Sequence, residues 1–175
     1  VAQLMKNEGR ILAIDRSAHR IQLWKKEMRR LRVKIAEPIL ADAEQTLPLH
    51  DAADIVVLDP PCSNTGVFGK SPAVKWSIDM RTISQMATIQ ARMIENCARY
   101  VNVGGKLLYA TCSITAEENE FVIERFLKRH PEFKPADTGI KFGLSGLRDH
   151  VLCRRLYPHL HNCNGFFIAK LEREF

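Results

Sequence analysis

The sequence lacks the signatures of several protein classes. No apolar run approaches the roughly 20 residues of a membrane-spanning helix, so a membrane protein is not expected. None of the five cysteines forms a C-x-x-C pair, which argues against a structural zinc site. A glycine-rich dinucleotide loop would follow a strand, whereas Gly104-Gly105 precedes one, and this disfavours NAD. The 175 residues, 46% of them hydrophobic and 26% charged, are typical of one globular domain.

The cysteines and the net charge indicate a setting and a partner. An odd number of scattered cysteines favours free thiols in a reducing compartment, either the cytoplasm or, in a eukaryote, the nucleus or nucleolus. The net charge is +6, and residues 16–34 hold eight lysines and arginines against the single acidic residue Glu27. Such a basic segment suits a polyanion such as nucleic acid, although a solvated helix face explains it equally well. Nothing indicates the oligomeric state.

Apolar runs and helical patterns alternate along the chain, which predicts an α/β domain with a mostly parallel, doubly wound sheet. Strands are predicted at residues 10–14, 33–41, 53–58, 106–110 and 165–171. Helices are predicted after Ser17, over residues 79–100 with Gly104-Gly105 as the stop, and up to Arg129 from a capping box at residues 115–118. Residues 133–156 read as a loop, and no linker divides the chain.

Three aspartates each follow a predicted strand: Asp15, Asp42 and Asp59. An acidic residue at the end of the second strand of a Rossmann-like sheet commonly binds a ribose, which suggests a cofactor that contains adenosine. A loop or capping aspartate is the alternative at Asp15, and a stronger one at Asp42, whose strand is irregular. Asp59 is followed by Pro60-Pro61, which fix the backbone, and so rigid a carboxylate suits a flat ligand such as a nucleobase.

Two cysteines stand in turns that follow predicted strands, Cys62 close after Asp59 and Cys112 after residues 106–110. A cysteine is a nucleophile when its thiolate is favoured and exposed. For any single cysteine the common alternative is a small buried hydrophobe, as we expect for Cys97 on the apolar side of a helix. Because parallel strands gather chemistry at their carboxyl ends, two thiols and a carboxylate at one rim favour a site.

These motifs resemble the RNA (cytosine-5) methyltransferases of the Sun (Fmu) type. The matching stretches lie in the order of that family and cover nearly the whole chain, and the two cysteine motifs together are highly specific. They are Ile14-Asp15-Arg16-Ser17, Asp42-Ala43, Asp59-Pro60-Pro61-Cys62-Ser63-Asn64-Thr65-Gly66, Pro72-Ala73-Val74-Lys75-Trp76, Tyr109-Ala110-Thr111-Cys112-Ser113-Ile114, Glu117-Glu118-Asn119-Glu120, Arg155-Leu156-Tyr157-Pro158-His159 and Gly165-Phe166-Phe167-Ile168-Ala169-Lys170.

The resemblance implies a Rossmann-like fold and methyl transfer from S-adenosylmethionine to carbon 5 of a cytosine in rRNA or tRNA. Cys112 would add to carbon 6 of the base, and Cys62 would help to release the product. Asp59 would hold the cytosine edge and lie near the methionine part of the cofactor, while Asp15 would bind its ribose and Asp42 its adenine end. The target base must be unpaired or flipped out, and the basic helix and residues 70–75 are candidate contacts to the RNA backbone.

The chain departs from this family at three places. Asn64 stands where glycine is more frequent, and Asn164 stands where aspartate is common. The proline- and glycine-rich loop that holds the cofactor's methionine part in this family would lie upstream of Val1. We therefore expect residues 1–175 to be a catalytic domain without its N-terminal portion, and to bind S-adenosylmethionine poorly by themselves.

Two other functions compete with this interpretation. Methyltransferases that act on exocyclic amines of nucleobases also carry a prolyl-prolyl motif after a strand, but an aromatic residue usually follows it where this chain has Cys62. In that case Cys112 would have no role. The second alternative is an RNA-binding fragment or inactive scaffold, which the missing cofactor loop favours and the presence of both cysteines opposes.

Overall fold

The computed structural model describes the backbone of residues 1–175 and every side chain except that of Val74. The chain divides into two compact units, residues 1–49 and residues 50–175. The prediction that residues 1–175 form one catalytic domain stays a prediction. No helix among the described residues is long and apolar enough to cross a membrane.

The first unit is a parallel β-α-β arrangement. Strand β1 (Ile11–Asp15) leads into helix α1 (Ala18–Arg30), and strand β2 (Ala36–Leu40) then pairs with β1 in parallel, with Ile14 opposite Ile39. The predicted cap is confirmed, because the Ser17 side chain accepts a hydrogen bond from the Arg20 backbone N–H. The helix buries Ile21 and leaves most of its basic residues exposed, as its pattern predicts.

The second unit is a six-stranded sheet with two long helices. Its strands are β3 (Ala53–Leu58), β4 (Val101–Thr111), β5 (Phe133–Ala136), β6 (Leu144–Ser145), β7 (Arg154–Leu156) and β8 (Phe166–Arg173), and its helices are α2 (Met80–Ala98), α3 (Glu120–Arg129) and the short α4 (Pro158–His161). The strand order is β3-β4-β8-β7-β6, and β5 also pairs with β8. Strands β3 and β4 are parallel, whereas every pair around β8 is antiparallel.

The core of the second unit is formed by helices α2 and α3 and by the buried side chains of the sheet. In β4, Leu107, Tyr109 and Thr111 are fully buried, as the period of two in a strand requires. Helix α2 packs on β3 and β4 and contacts α3. Cys97 is buried on α2, which confirms its assignment to the core.

Three predictions of local structure are wrong. Helix α2 ends at Ala98, and Gly104-Gly105 lies within β4, where the register against β3 shifts, so the glycines permit a bulge and do not stop the helix. Residues 133–156, predicted as a loop, contain the three strands β5, β6 and β7, which are too short to show a periodic pattern. Helix α3 begins after Asn119, and no capping box forms at residues 115–118 because the Glu118 side chain binds elsewhere.

Candidate active site

Two neighbouring parallel strands deliver the predicted site residues of the second unit to one edge of the sheet. Leu58 in β3 lies opposite Tyr109 in β4, so the chain leaves both strands at nearly the same level. Asp59 follows β3 directly, and Cys112 follows β4 directly. The register therefore brings the two turns together from distant parts of the sequence, as expected for the carboxyl ends of parallel strands.

The two thiols of these turns are in contact. The Sγ atoms of Cys62 and Cys112 lie 2.9 Å apart, and both side chains are half-buried. A hydrogen bond between them requires one sulfur to donate and the other to accept, which favours one thiol beside one thiolate. Such a pair suits nucleophilic chemistry, in which only one sulfur attacks.

Asn64 adds a polar group to this thiol pair. Its Oδ1 atom accepts a hydrogen bond from Cys112 Sγ at 2.9 Å and lies 3.8 Å from Cys62 Sγ. The residue has a positive φ of 60°, a left-handed conformation that glycine adopts freely and that asparagine tolerates better than most residues. The backbone here thus explains why either residue fits, while only asparagine offers an acceptor to the thiols.

The surroundings separate the acidities of the two cysteines. The hydrogen bond from Cys62 lowers the pKa of Cys112 to about 7, against the opposing effects of burial and of the nearby Asp59 and Glu118 charges. The same hydrogen bond, together with burial, raises the pKa of Cys62. A thiolate is therefore formed more readily at Cys112, and the proton stays on Cys62.

Asp59 supplies a carboxyl group with an altered acidity. Although the residue is exposed at the surface of the site, the protein atoms around its carboxyl group displace water and raise its pKa. A carboxyl group of this kind can exchange a proton with a bound base more readily than an ordinary surface aspartate.

The second unit also places two glycines in close contact beside Cys112. The Gly66 N–H donates to the Cys112 carbonyl at 2.9 Å, and the Gly165 N–H donates to the Gly66 carbonyl at 2.7 Å. A Cβ atom on Gly66 would lie 2.6 Å from the Cys112 carbonyl oxygen, and one on Gly165 would lie 2.7 Å from the Gly66 Cα atom. Only glycine fits at these positions while the Cys112 turn keeps its place.

Buried polar residues after Cys112 also support this site, and of these the sequence patterns assigned only Glu118, to a capping box. Glu118, Asn119 and Glu120 are all fully buried. Asn119 joins the end of β4 to the Cys112 turn, because it accepts from Thr111 Oγ1 at 2.6 Å and donates to the Ser113 carbonyl at 2.9 Å. The available signal in the sequence was a run of three polar residues before an apolar helix face. If such residues are buried, each needs hydrogen-bond partners, so the run could have indicated a polar cluster.

The first unit holds the other two predicted site residues. The Asp15 carboxylate accepts the Ser17 backbone N–H at 2.7 Å and two N–H groups of Arg20, and the hydrogen bond from Arg20 lowers its pKa. Asp15 also lines a pocket of about 360 Å³ with apolar residues, among them Ile14, Ile21 and Trp24. Arg20, which is paired with the Asp15 carboxylate, also lines this pocket, so the pocket has a polar end and apolar walls.

Asp42 forms part of a local turn in the first unit. Asp42 lies in the first unit, two residues after β2, and its Oδ1 atom accepts the Glu44 backbone N–H at 3.0 Å. This contact stabilises the local turn, which is the alternative role that its position suggests. The roles of Asp15 and Asp42 towards a cofactor stay predictions.

An exposed basic and aromatic segment follows the Cys62 loop. Trp76 is 87% exposed, and the Lys75 Nζ atom lies 5.9 Å from the centre of its ring. An exposed indole beside a cation can stack on an unpaired base and approach a phosphate. Residues 70–75 therefore remain a candidate contact for RNA, and the exposed Trp76 extends this segment by one residue.

Comparison with known proteins gives a family match over nearly the whole chain. A family model described as 16S rRNA methyltransferase RsmB/F matches residues 1–172. A 28S rRNA (cytosine-C(5))-methyltransferase of Mus musculus is 40% identical over 186 residues, and the match covers 99% of this chain but 23% of the mouse protein. A tRNA (cytosine(72)-C(5))-methyltransferase of Pyrococcus horikoshii is 33% identical and matches 99% of this chain and 43% of its own length.

Solved structures give the same result for the fold. The crystal structure of NSun6 from Pyrococcus horikoshii with SFG superimposes with a TM-score of 0.91 at 33% identity, over 99% of this chain and 44% of that one. The predicted Rossmann-like methyltransferase fold is thereby confirmed. The chain spans less than half the length of these relatives.

Proposed function

Because the chain belongs to the 16S rRNA methyltransferase RsmB/F family, we propose that it forms the catalytic part of an enzyme that methylates carbon 5 of a cytosine in rRNA or tRNA. The cofactor is S-adenosylmethionine, in agreement with the family and with the methyltransferase fold. The observation that carries the proposal is the contact of 2.9 Å between Cys62 and Cys112. Two thiols at the ends of adjacent strands suit a reaction that forms and then breaks a bond to the base.

The first step in this mechanism is the attack of Cys112. Carbon 5 of an aromatic cytosine is a poor nucleophile, and the bond from Cys112 Sγ to carbon 6 saturates the ring and moves electron density to carbon 5. The lowered pKa of Cys112 supplies the thiolate for this attack near neutral pH. Asp59 holds the edge of the base, and its raised pKa lets it donate a proton as negative charge develops on the ring.

The second half of the mechanism belongs to Cys62. When bound, S-adenosylmethionine supplies an electrophilic methyl group, with Asp15 at its ribose and Asp42 at its adenine end. Once Cys112 is bonded to carbon, it no longer shares the Cys62 proton, and Cys62 can release that proton to solvent. The Cys62 thiolate then takes the proton from carbon 5, the ring double bond re-forms, and the electron pair of the C6–S bond returns to Cys112. Asp59 takes back the proton that it donated to the ring, so the product is neutral 5-methylcytosine.

The base must leave its stack to reach these sulfurs. We propose that the exposed Lys75–Trp76 segment and the basic face of α1 hold the RNA backbone and neighbouring bases while the cytosine is unpaired. The target RNA and cytosine are chosen by surfaces outside the thiol pair.

An adduct experiment tests the mechanism. Full-length native protein, Cys62→Ala and Cys112→Ala would be incubated at mildly alkaline pH with S-adenosylmethionine and a structured, cytosine-containing RNA, and resolved on a denaturing gel. We expect a protein–RNA adduct to accumulate in Cys62→Ala, because attack proceeds while release fails, and none in Cys112→Ala. Cys163→Ala is the matched control, since this cysteine is exposed and lies apart from the thiol pair in the sequence.

The competing functions give different results in the same experiment. If RNA binds but no variant forms an adduct, the covalent mechanism is wrong. Methyl transfer to an amino group in that case would support the exocyclic-amine reaction, and binding without any transfer would support an RNA-binding scaffold. An adduct that accumulates in Cys112→Ala would reverse the roles of the two cysteines.

A further inference from the structure

A buried carboxylate connects the two cysteine turns. Glu118 is 0% exposed, and its Oε2 atom accepts hydrogen bonds from the hydroxyls of Ser63, Ser113 and Thr115, at 2.6 Å for Ser113 and 3.0 Å for Thr115. Its Oε1 atom accepts the Ser63 backbone N–H at 2.8 Å and the Gln90 side-chain amide at 3.0 Å. Five donors thus fill both oxygens of one carboxylate.

Two of these donor residues directly follow the two cysteines of the thiol pair. Ser63 directly follows Cys62, and Ser113 directly follows Cys112. The two serines meet at a single carboxylate oxygen, and their own Oγ atoms lie 3.4 Å apart. A shift of either turn would therefore break hydrogen bonds inside a fully buried cluster, where unsatisfied polar groups are costly.

The five donors also explain how a fully buried carboxylate is stable at this position. A buried charge is tolerated when several donors surround it, and hydrogen bonds to an ionised acceptor are stronger than those between neutral groups. A leucine at this position would fill the space but would leave the Ser63 N–H without its Glu118 partner. The arrangement is thus more specific than packing of α3 against the sheet requires.

We propose that Glu118 is a positioning residue that sets the separation of the Cys62 and Cys112 thiols by holding the residue that follows each cysteine. The effect of this position on methyl transfer rests on the proposed function. The hydrogen bonds of Glu118 themselves exist in the protein without substrate. Glu118 itself does not contact the base. It acts by keeping Cys62 close enough to donate to the Cys112 thiolate.

The direction in which the pKa of Cys112 shifts when Glu118 is replaced distinguishes a positioning role from a simple effect of the Glu118 charge. The negative charge of Glu118 raises the pKa of Cys112, so removal of that charge alone would move the titration of Cys112 to lower pH. The hydrogen bond from Cys62 lowers the same pKa and is the largest contribution to it. Loss of the thiol contact would therefore move the titration of Cys112 to higher pH.

The test measures alkylation of Cys112 by iodoacetamide as a function of pH, followed by mass spectrometry of its peptide, in full-length native protein and in Glu118→Gln. We expect the midpoint of the Glu118→Gln profile to rise by about 1 unit and methyl transfer to fall roughly 100-fold in kcat, with the KM for RNA little changed. The neighbouring Glu117→Gln is the matched control and leaves both quantities at the wild-type value. An unchanged or lower midpoint in folded Glu118→Gln overturns the proposal.

A second variant covers the case in which Glu118→Gln does not fold. Ser113→Ala removes one hydroxyl from the cluster and keeps the Glu118 charge, so a rise of its midpoint cannot arise from loss of that charge. An unchanged midpoint in Ser113→Ala overturns the proposal. Because alkylation needs neither RNA nor cofactor, a wild-type protein that alkylates as expected but transfers no methyl group would contradict the proposed function and leave the positioning role standing.

Discussion

Replacement of Cys62 by alanine is the most direct test of how the thiol pair is activated. Cys62 donates to Cys112 across 2.9 Å, and this hydrogen bond is the main reason that the pKa of Cys112 lies at about 7 and below its ordinary value of 9.0. Burial of Cys112 and the negative charges of Asp59 and Glu118 act in the opposite direction and raise its pKa. Removal of the donor should therefore return the titration of Cys112 towards high pH.

The magnitude follows from these values. A complete loss of the donor would raise the midpoint by at least about 2 units, equivalent to about 2.7 kcal/mol or more, because burial and the Asp59 and Glu118 charges still oppose the thiolate. Water that enters the space left by the Cys62 sulfur can replace part of the donor, so we expect a rise between about 1 and 2 units. At pH 7.5 a rise of 2 units would lower the thiolate fraction from about 76% to about 3%, by the ordinary titration equation.

The assay is the pH profile of iodoacetamide alkylation at the Cys112 peptide. The midpoint is the quantity to compare, because a thiolate of higher pKa is intrinsically more nucleophilic and this partly offsets its lower abundance at a single pH. Cys62→Ser is the matched control, since its hydroxyl can still donate and should give a smaller rise. A midpoint for Cys62→Ala at or below that of the wild type would refute the reasoning.

Three further substitutions test the supporting structure. Asn64→Gly removes the acceptor of the Cys112 thiol, so the alkylation midpoint should fall by about 0.5 unit while thermal stability changes little, because glycine suits the left-handed backbone. Gly66→Ala forces a Cβ atom to 2.6 Å from the Cys112 carbonyl oxygen; we expect about 1–3 kcal/mol of destabilisation in urea unfolding and, when it is combined with Cys62→Ala, loss of the RNA adduct. Glu120→Gln breaks the buried ion pair with Arg155, whose two hydrogen bonds are each 2.6 Å, and should cost about 3–5 kcal/mol in the same measurement.

The controls for these variants follow from exposure and backbone geometry. Gly69→Ala is matched to Gly66→Ala, because a Cβ atom on Gly69 meets nothing within 4 Å. Asn64→Ala loses the acceptor and also strains the backbone, so it should resemble Asn64→Gly in alkylation but be less stable by about 1 kcal/mol. Wild-type stability of Glu120→Gln would contradict the claim that Arg155 needs its partner.

The position of the thiol pair could be predicted from the sequence because it depends on a simple rule. Apolar runs end at Asp59 and just before Cys112, and parallel strands place their carboxyl ends together. The sequence pattern does not contain the contact of 2.9 Å between the sulfurs, which depends on the residues after each cysteine. It also does not reveal the role of Asn64, whose side chain matters only because the backbone turns left-handed there.

Two errors arose from motifs that have more than one structural meaning. A pair of glycines ends many helices, but glycine also permits a bulge, and Gly104-Gly105 follows a helix that has already ended six residues earlier at Ala98. The turn at Arg99 and Tyr100 requires no glycine, because Arg99 remains right-handed. Glycine alone therefore locates an irregular backbone position but does not identify the element that it interrupts.

The capping-box pattern at residues 115–118 explains why the role of Glu118 at the site could not be predicted from the sequence. Thr115 and Glu118 have the spacing of a capping box, in which the glutamate would reach back to the Thr115 backbone N–H. Here the Thr115 backbone N–H donates to Ser113 Oγ at 3.1 Å, and Glu118 accepts the Ser63 backbone N–H from a turn 55 residues away. Local propensity could not predict this outcome, since donors from a distant turn satisfy the carboxylate better than one exposed N–H would. The same glutamate that the pattern assigns to a helix end therefore joins the two cysteine turns, and this is why a substitution there should alter the chemistry of Cys112 before it alters the stability of α3.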